Sequence, residues 1–382
     1  MELNKKTILV FADWFVPGYK AGGPIRSCLH FVQQMKEKYN IYVITTDRDL
    51  DAAAPYEQVV LRQWTPFDDA VQIYYAAPEQ LTWKNILQQI KKVQPDFIYL
   101  NSMYSRYFTI YPLLMHRLGY TGAKVVLSPR GMLKQSALQF HQSKKRMFLG
   151  ALRLLGIPRR IRFHATDQTE VQDIYRQFGK QTAVTLAANF AAQIAPYPGT
   201  TEKLSGALKL IFVGRVHPIK NLHYLLQLLP FVKGNIRLTV VGNEEDASYA
   251  AQCRNMVQQL PENVRVQFAG EIPNQQLPQL IQQHHIFALP TQGENFGHAI
   301  FEALAVGKPV LISDQTPWRA LTAVKAGWDI ALHDNETFIR ALQQAVDFDQ
   351  LQYDEWSQAA YKFVAGYTRQ TDLKEQYYNL FN

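Results

Sequence analysis

Only two cysteines occur in the 382 residues, Cys28 and Cys253, far apart in the chain. They cannot form a disulfide framework, and such a chain suits a reducing compartment. No apolar stretch approaches the roughly 18–20 residues that a membrane-crossing helix needs. The apolar run at residues 8–12 is followed at once by Asp13. It is too short for the core of a signal peptide and reads as a buried first strand. The fingerprint G-x-G-x-x-G follows the first strand of neither half, which disfavours a nicotinamide or flavin enzyme. A further absence is local. Residues 97–166 contain no Asp or Glu and twelve Lys or Arg, more than the whole-chain excess of +8. Such a field attracts phosphates, nucleic acid or an anionic membrane face.

What is present describes a globular protein with real cores, 47% hydrophobic and 19% charged. Its length suits two domains of about 150–200 residues. Apolar runs at 7–12, 39–45, 70–75, 96–100, 124–127 and 162–165 read as strands. Helical spacing fills 25–38, 82–93, 110–118 and 142–155 between them. Residues 191–206, AAQIAPYPGTTEKLSG, have two prolines, two glycines and no apolar period, and read as a linker. Beyond it, strands at 208–213, 236–241, 264–268, 286–289 and 309–312 alternate with helices at 221–229, 247–259, 276–283 and 298–306. Alternation of this kind implies parallel sheets covered on both faces. The expected fold is α/β, two doubly wound Rossmann-like domains facing across a cleft. Their bounds are 1–190 and 207–353, with a helical, aromatic-rich end at 354–382.

Three segments carry chemistry. In PTQGENFGHAIFEALAVGKPV, residues 290–310, a strand runs into a Gly-containing loop and then a helix. Glu294 lies in the loop and Glu302 in the helix's first turns. Ionised carboxylates only accept hydrogen bonds, so they suit the hydroxyls of a sugar and a ribose and would repel a diphosphate. The diphosphate finds partners in FVGRVHPIKN, residues 212–221, where Arg215 and Lys220 project from a strand-to-helix loop. Gly22-Gly23-Pro24, before the first helix, leaves backbone uncovered beside a helix N-terminus, a seat for an anion.

Each has a plainer reading. The two acids could merely favour a helix dipole, Arg215 and Lys220 could be surface charges, and the glycines could make a turn. His298 reads as a helix-start residue and His164 as a packed strand-end residue. Asp47-Arg48-Asp49 has the spacing of a D-x-D metal site but reads as loop acids, and no metal site is expected. The basic helical stretch 143–163 fits either a solvated face over a buried stripe or a helix lying on anionic lipid.

GGP, FVGRVHPIKN and the E-x7-E of Glu294 and Glu302 together resemble the retaining GT-B glycosyltransferases of family 4. SPRGML, residues 128–133, is similar to members that build bacterial surface polysaccharides. The resemblance spans both domains. It implies that Arg215 and Lys220 clamp the donor diphosphate and that Glu294 binds the transferred sugar. The N–H groups of Phe296, Gly297 and His298 would support sugar and phosphate, Glu302 would hold the ribose, and Gly23 would let the first loop approach the phosphates. It also implies retention of configuration, without metal or cofactor, and a terminal helix crossing back onto the first domain. The chain departs from the family where a histidine usually follows a first-domain strand, since Arg130 stands near that position. Ala188-Asn189-Phe190 likewise replaces the usual Pro-Asn-Gly.

The expected function is transfer of a sugar from a UDP- or GDP-type donor to a saccharide or lipid-linked acceptor, in surface polysaccharide or glycoconjugate assembly. The expected location is cytoplasmic, peripheral on the inner membrane face, with no nucleic-acid partner. Two alternatives stay open: a GT-B-fold epimerase or phosphorylase, and a basic non-catalytic module that binds membrane or nucleic acid.

Overall fold

In a computed structural model, which describes residues 5–139, 142–368 and 372–382, the apolar runs assemble into two separate sheets. The described residues of Met1–Phe190 and Thr371–Asn382 make one unit, and those of Ala191–Gln370 the other.

The first sheet holds β1 (Thr7–Phe11), β2 (Asn40–Thr46), β3 (Trp64–Asp68), β4 (Val71–Ala76), β5 (Phe97–Leu100), β6 (Lys124–Leu127), β7 (Arg162–Ala165) and β8 (Ala183–Leu186). Their order is β3-β4-β2-β1-β5-β6-β7-β8, parallel except for the β3–β4 hairpin. The central strands are buried almost throughout, as strands covered on both faces must be. Helix Gly23–Met35 buries Ile25, Cys28, Phe31, Val32 and Met35 at helical spacing against one face. On that side Tyr377 packs on Phe31 and Phe190, with ring centroids 5.7 and 4.2 Å apart.

The second sheet holds β9 (Ala207–Val213), β10 (Asn235–Val241), β11 (Val264–Gly270), β12 (Ile286–Leu289), β13 (Val310–Ser313) and β14 (Gly327–Ile330). It is wholly parallel, in the order β11-β10-β9-β12-β13-β14. The α/β expectation of two doubly wound sheets therefore holds.

Two expectations need correction. Residues 191–206 are not a free linker, because they are woven into the second unit. Lys203 is buried there and its Nζ donates to the carbonyls of Leu204, Val346 and Phe348 at 2.9–3.0 Å. Tyr197 shares a 2.8 Å hydrogen bond with Ser357. A polar, aperiodic stretch can thus be ordered by hydrogen bonds that leave no trace in its own hydropathy. The chain's end is two helices rather than one. Gln350–Thr368 buries Tyr353, Trp356, Ala360 and Val364 in the second unit, and Leu373–Leu380 belongs to the first. Residues 369–371 of that segment lie outside the described residues. Among the described residues no helix is long and apolar enough to cross a membrane.

Candidate functional site

In an open α/β sheet, ligands bind outside the carboxyl ends of the strands where the winding reverses. In the second sheet that point lies between β9 and β12, whose neighbours run outward in opposite directions. The loop after β9 carries Arg215 and Lys220, and the loop after β12 carries Glu294. The topology therefore brings these two motifs to one place.

Backbone hydrogen bonds join the two loops. The Ile219 carbonyl accepts from the Gln292 N–H at 2.7 Å and from the Thr291 hydroxyl at 2.9 Å. On this frame Lys220 Nζ and Glu294 Oε1 form an ion pair, each side chain mostly buried. His217 starts the single turn Pro218–Lys220, its Nδ1 accepting the Ile219 N–H at 3.2 Å. Two glycines allow the close approaches. Gly242, at φ +144°, follows β10, and a Cβ there would lie 2.0 Å from the Gly214 carbonyl oxygen. Gly297, at φ +77°, starts helix His298–Ala305 without a side-chain cap, and a Cβ on it would lie 2.8 Å from Ile300 Cδ1. The capless helix start offers backbone N–H groups and the positive end of a dipole to an anion.

The remaining residues of this unit fall out as follows. Arg215 is not drawn to the Lys220–Glu294 pair: its guanidinium is salt-bridged to Glu245, on the loop after β10, at 2.5 Å. Glu302 is partly buried in the helix that Gly297 opens. The Phe296 side chain is packing, with its ring 5.4 Å from Trp318 and its carbonyl accepting Trp318 Nε1 at 2.6 Å. His298 lies buried with its ring 4.7 Å from that of Phe296, as a helix-start residue. Lys308, in the GKPV stretch, is fully buried and donates to Thr201 Oγ1 at 2.7 Å and Tyr353 at 3.2 Å. Burial pushes its amine down to about 8.

The first sheet has its own reversal, between β1 and β5. Asp13 follows β1 and accepts the Ser105 hydroxyl at 2.6 Å, while burial raises its carboxyl above the usual range. Arg130 follows β6 at φ +55°. Its guanidinium donates to Tyr99 Oη and Asn101 Oδ1, both at 2.9 Å, and to Asn189 Oδ1. His164 completes the network, with Nδ1 2.7 Å from Tyr99 Oη and Nε2 2.8 Å from the Ala187 carbonyl. That carbonyl can only accept, so Nε2 carries the proton and Tyr99 donates to Nδ1. Burial and the Arg130 charge push His164 down to about 3, so the ring stays neutral. His164 is a packed, orienting residue, as its strand-end position suggested.

Gly22, at φ +66°, precedes helix Gly23–Met35, which begins without a side-chain cap. The loop before it hangs on Asp49, whose carboxylate accepts the N–H groups of Tyr19 at 2.7 Å and Lys20 at 3.1 Å. Asp47 pairs with Arg48 at 2.8 Å. Among the described residues no group of three or more His, Cys, Asp or Glu is arranged to hold a metal. Sequence reading gave no role to Asp13, Asn101 and Glu245, and read Asp49 only as a loop acid. Each lies just beyond a strand's carboxyl end, which is the one signal that could have found them.

Residues 199–363 match the model of the glycosyl transferases group 1 family. The matched residues make up most of the second unit. The phosphatidyl-myo-inositol mannosyltransferase of Mycobacterium leprae is 27% identical over 134 residues, 34% of this chain and 33% of that protein. The D-inositol 3-phosphate glycosyltransferase of Corynebacterium efficiens is 30% identical over 106 residues, 26% of this chain and 25% of that protein. The chain thus spans about a quarter to a third of the curated relatives it matches. Anabaena HepE, solved with UDP and glucose, superposes with TM-score 0.69 at 15% identity over 98% of both chains. The fold of the whole chain is accordingly GT-B, two parallel-sheet Rossmann-like domains. Within the matched residues, the Lys220–Glu294 pair stands at the sheet's reversal.

Proposed function

We propose that this protein is a retaining glycosyltransferase that moves a sugar from a nucleotide diphosphate donor to a saccharide or lipid-linked acceptor. The observation that carries the reading is the ion pair of Lys220 and Glu294 on two loops locked together through Ile219. A diphosphate seeks a cation and a sugar hydroxyl seeks a carboxylate, and this pair offers both within one hydrogen bond's reach.

In this reading the donor's diphosphate takes Lys220 from Glu294 and draws Arg215 from Glu245. Glu294, released, accepts hydroxyls of the transferred sugar, and Glu302 holds the ribose. The N–H groups of Phe296, Gly297 and His298 support the sugar and phosphate, and Gly23 gives the first unit's loop access to phosphate. As the glycosidic bond breaks, the leaving diphosphate gains charge, and these two cations stabilise it more in the transition state than in the ground state. These cations do the work that a metal does in other transferases. Arg130, aimed by Tyr99, Asn101 and Asn189, serves the sugar from the first unit.

Similarity to HepE, solved with UDP, favours a UDP-type donor, with GDP-type next. Resemblance to a mannosyltransferase and to polysaccharide-building members favours surface polysaccharide or glycoconjugate assembly, at a cytoplasmic, peripheral station. Thermal-shift screening of nucleotide sugars, followed by assay of nucleoside diphosphate release with candidate acceptors, tests the reading. Stabilisation by one donor, with release that depends on acceptor, supports it. Undiminished donor binding by the Lys220→Ala variant overturns it.

A further inference from the structure

The structure gives the twelve cations of residues 97–166 different surroundings. Several are spent inside the first unit. Arg130 is held by Tyr99 and two asparagines, Arg162 donates to the carbonyls of Asn379 and Leu380, and Lys145 donates to the Ala137 carbonyl at 2.6 Å. Arg106 Nε likewise donates to Tyr111 Oη at 3.2 Å and Arg153 Nε to the Gln177 carbonyl at 2.6 Å, whereas Lys144, Arg146, Arg159 and Arg160 are exposed on or just beyond helix Gln142–Leu154, where apolar side chains are exposed too. Along helix Gln142–Leu154, Leu149 and Leu152 face the core, whereas Met147 is 74% exposed and Leu154 89% exposed. At the end of helix Tyr111–Arg117, Leu118 is 63% exposed. Arg117 Nε donates to the Leu155 carbonyl at 2.8 Å and so binds the ends of these two helices side by side. Arg159 and Arg160, both exposed, follow in the next turn.

Each helix leads the chain to the opening residue of a strand, Lys124 of β6 or Arg162 of β7. Their ends therefore lie at the amino edge of the sheet, opposite the reversal where Asp13 and Arg130 stand. The patch is a separate surface.

We propose that this patch docks the first unit on an anionic lipid surface, with Leu118, Met147 and Leu154 entering the headgroup layer and the arginines beside them meeting lipid phosphates. Charge selects this occupant, since the stretch offers no carboxylate to repel an anionic leaflet. Leu118, Met147 and Leu154 are aliphatic, which suits insertion among acyl chains, and the half-exposed Tyr120 near Leu118 is an amphipathic ring of the kind that sits at a membrane interface. The inference goes beyond the proposed transfer reaction and does not depend on which sugar is moved.

Flotation of the full chain with phosphatidylcholine vesicles, with and without phosphatidylglycerol, tests it. Wild type is expected to float with anionic vesicles only, and less at high salt. Arg159→Gln with Arg160→Gln should weaken partition roughly 25-fold, about fivefold per cation. Leu154→Asp with Leu118→Asp should abolish flotation at any salt. Both variants should keep the wild-type melting temperature and nucleotide binding, because these side chains are largely exposed and lie away from the nucleotide site proposed on the second unit. Failure of wild type to float with anionic vesicles overturns the proposal. So does flotation that the variants leave unchanged, or a gel shift with single-stranded nucleic acid that both variants lose while vesicle binding persists.

Discussion

Lys220 and Glu294, 74 positions apart, form an ion pair where the second sheet reverses its winding, and a single carbonyl, that of Ile219, ties their loops together. The arrangement holds a cation and an acid ready at one spot. It also makes the two residues interdependent.

Lys220→Ala is expected to lower turnover about 10²–10³-fold, the usual cost of losing one fixed stabiliser of developing negative charge. Glu294→Gln should fall in the same range. The double variant should lose less than the product of the two, because residues in contact do not act additively. Steady-state kinetics on the donor found by screening checks this.

Glu245→Gln frees Arg215 from its carboxylate partner. Nucleoside diphosphate should then bind a few-fold more tightly, consistent with a partly exposed pair worth about 0.2–1 kcal/mol. Isothermal titration with UDP reads the change. An unchanged or weaker affinity would show that Glu245 does not compete for Arg215.

Gly242→Ala is expected to destabilise the second unit by more than about 2 kcal/mol, since its Cβ would sit 2.0 Å from the Gly214 carbonyl at φ +144°. Gly206→Ala, with φ +82° but nothing near its Cβ, should cost less. Chemical denaturation of both variants gives the comparison.

Buried Lys308 makes stability depend on pH. Its folded-state pKa, about 8, lies below the ordinary lysine value of 10.5, so the unfolded chain binds more protons between those values. Burial therefore costs its full amount below pH 8, and the cost fades as pH rises toward 10.5. The difference in unfolding free energy between wild type and Lys308→Met should shift toward wild type across that window, with a slope of up to about 1.4 kcal/mol per pH unit. A difference that stays flat from pH 7 to 10 would contradict the assignment.

Tyr99→Phe removes one acceptor from Arg130 and the donor to His164. A loss of about 1–3 kcal/mol in stability is expected from the buried imidazole nitrogen left unpaired. If Arg130 also serves the sugar, kcat should fall while donor affinity holds.

Order of residues along the chain was enough to determine the α/β alternation, because central strands such as β1, β5 and β12 are buried and therefore nearly continuously apolar. It also exposed the E-x7-E and Arg/Lys segments, which are local. The strands it left out, β3, β8 and β14, all stand at sheet edges. β3 and β8 are half exposed, and the short β14 carries Gly327 and Asp329, so none shows a strong apolar run. Only the tertiary structure decided the partnerships: Glu294 for Lys220, Glu245 for Arg215, and Tyr99, Asn101 and Asn189 for Arg130. These groups come from different strand ends, and a hydrogen bond depends on where folding brings its two atoms, which no local pattern records.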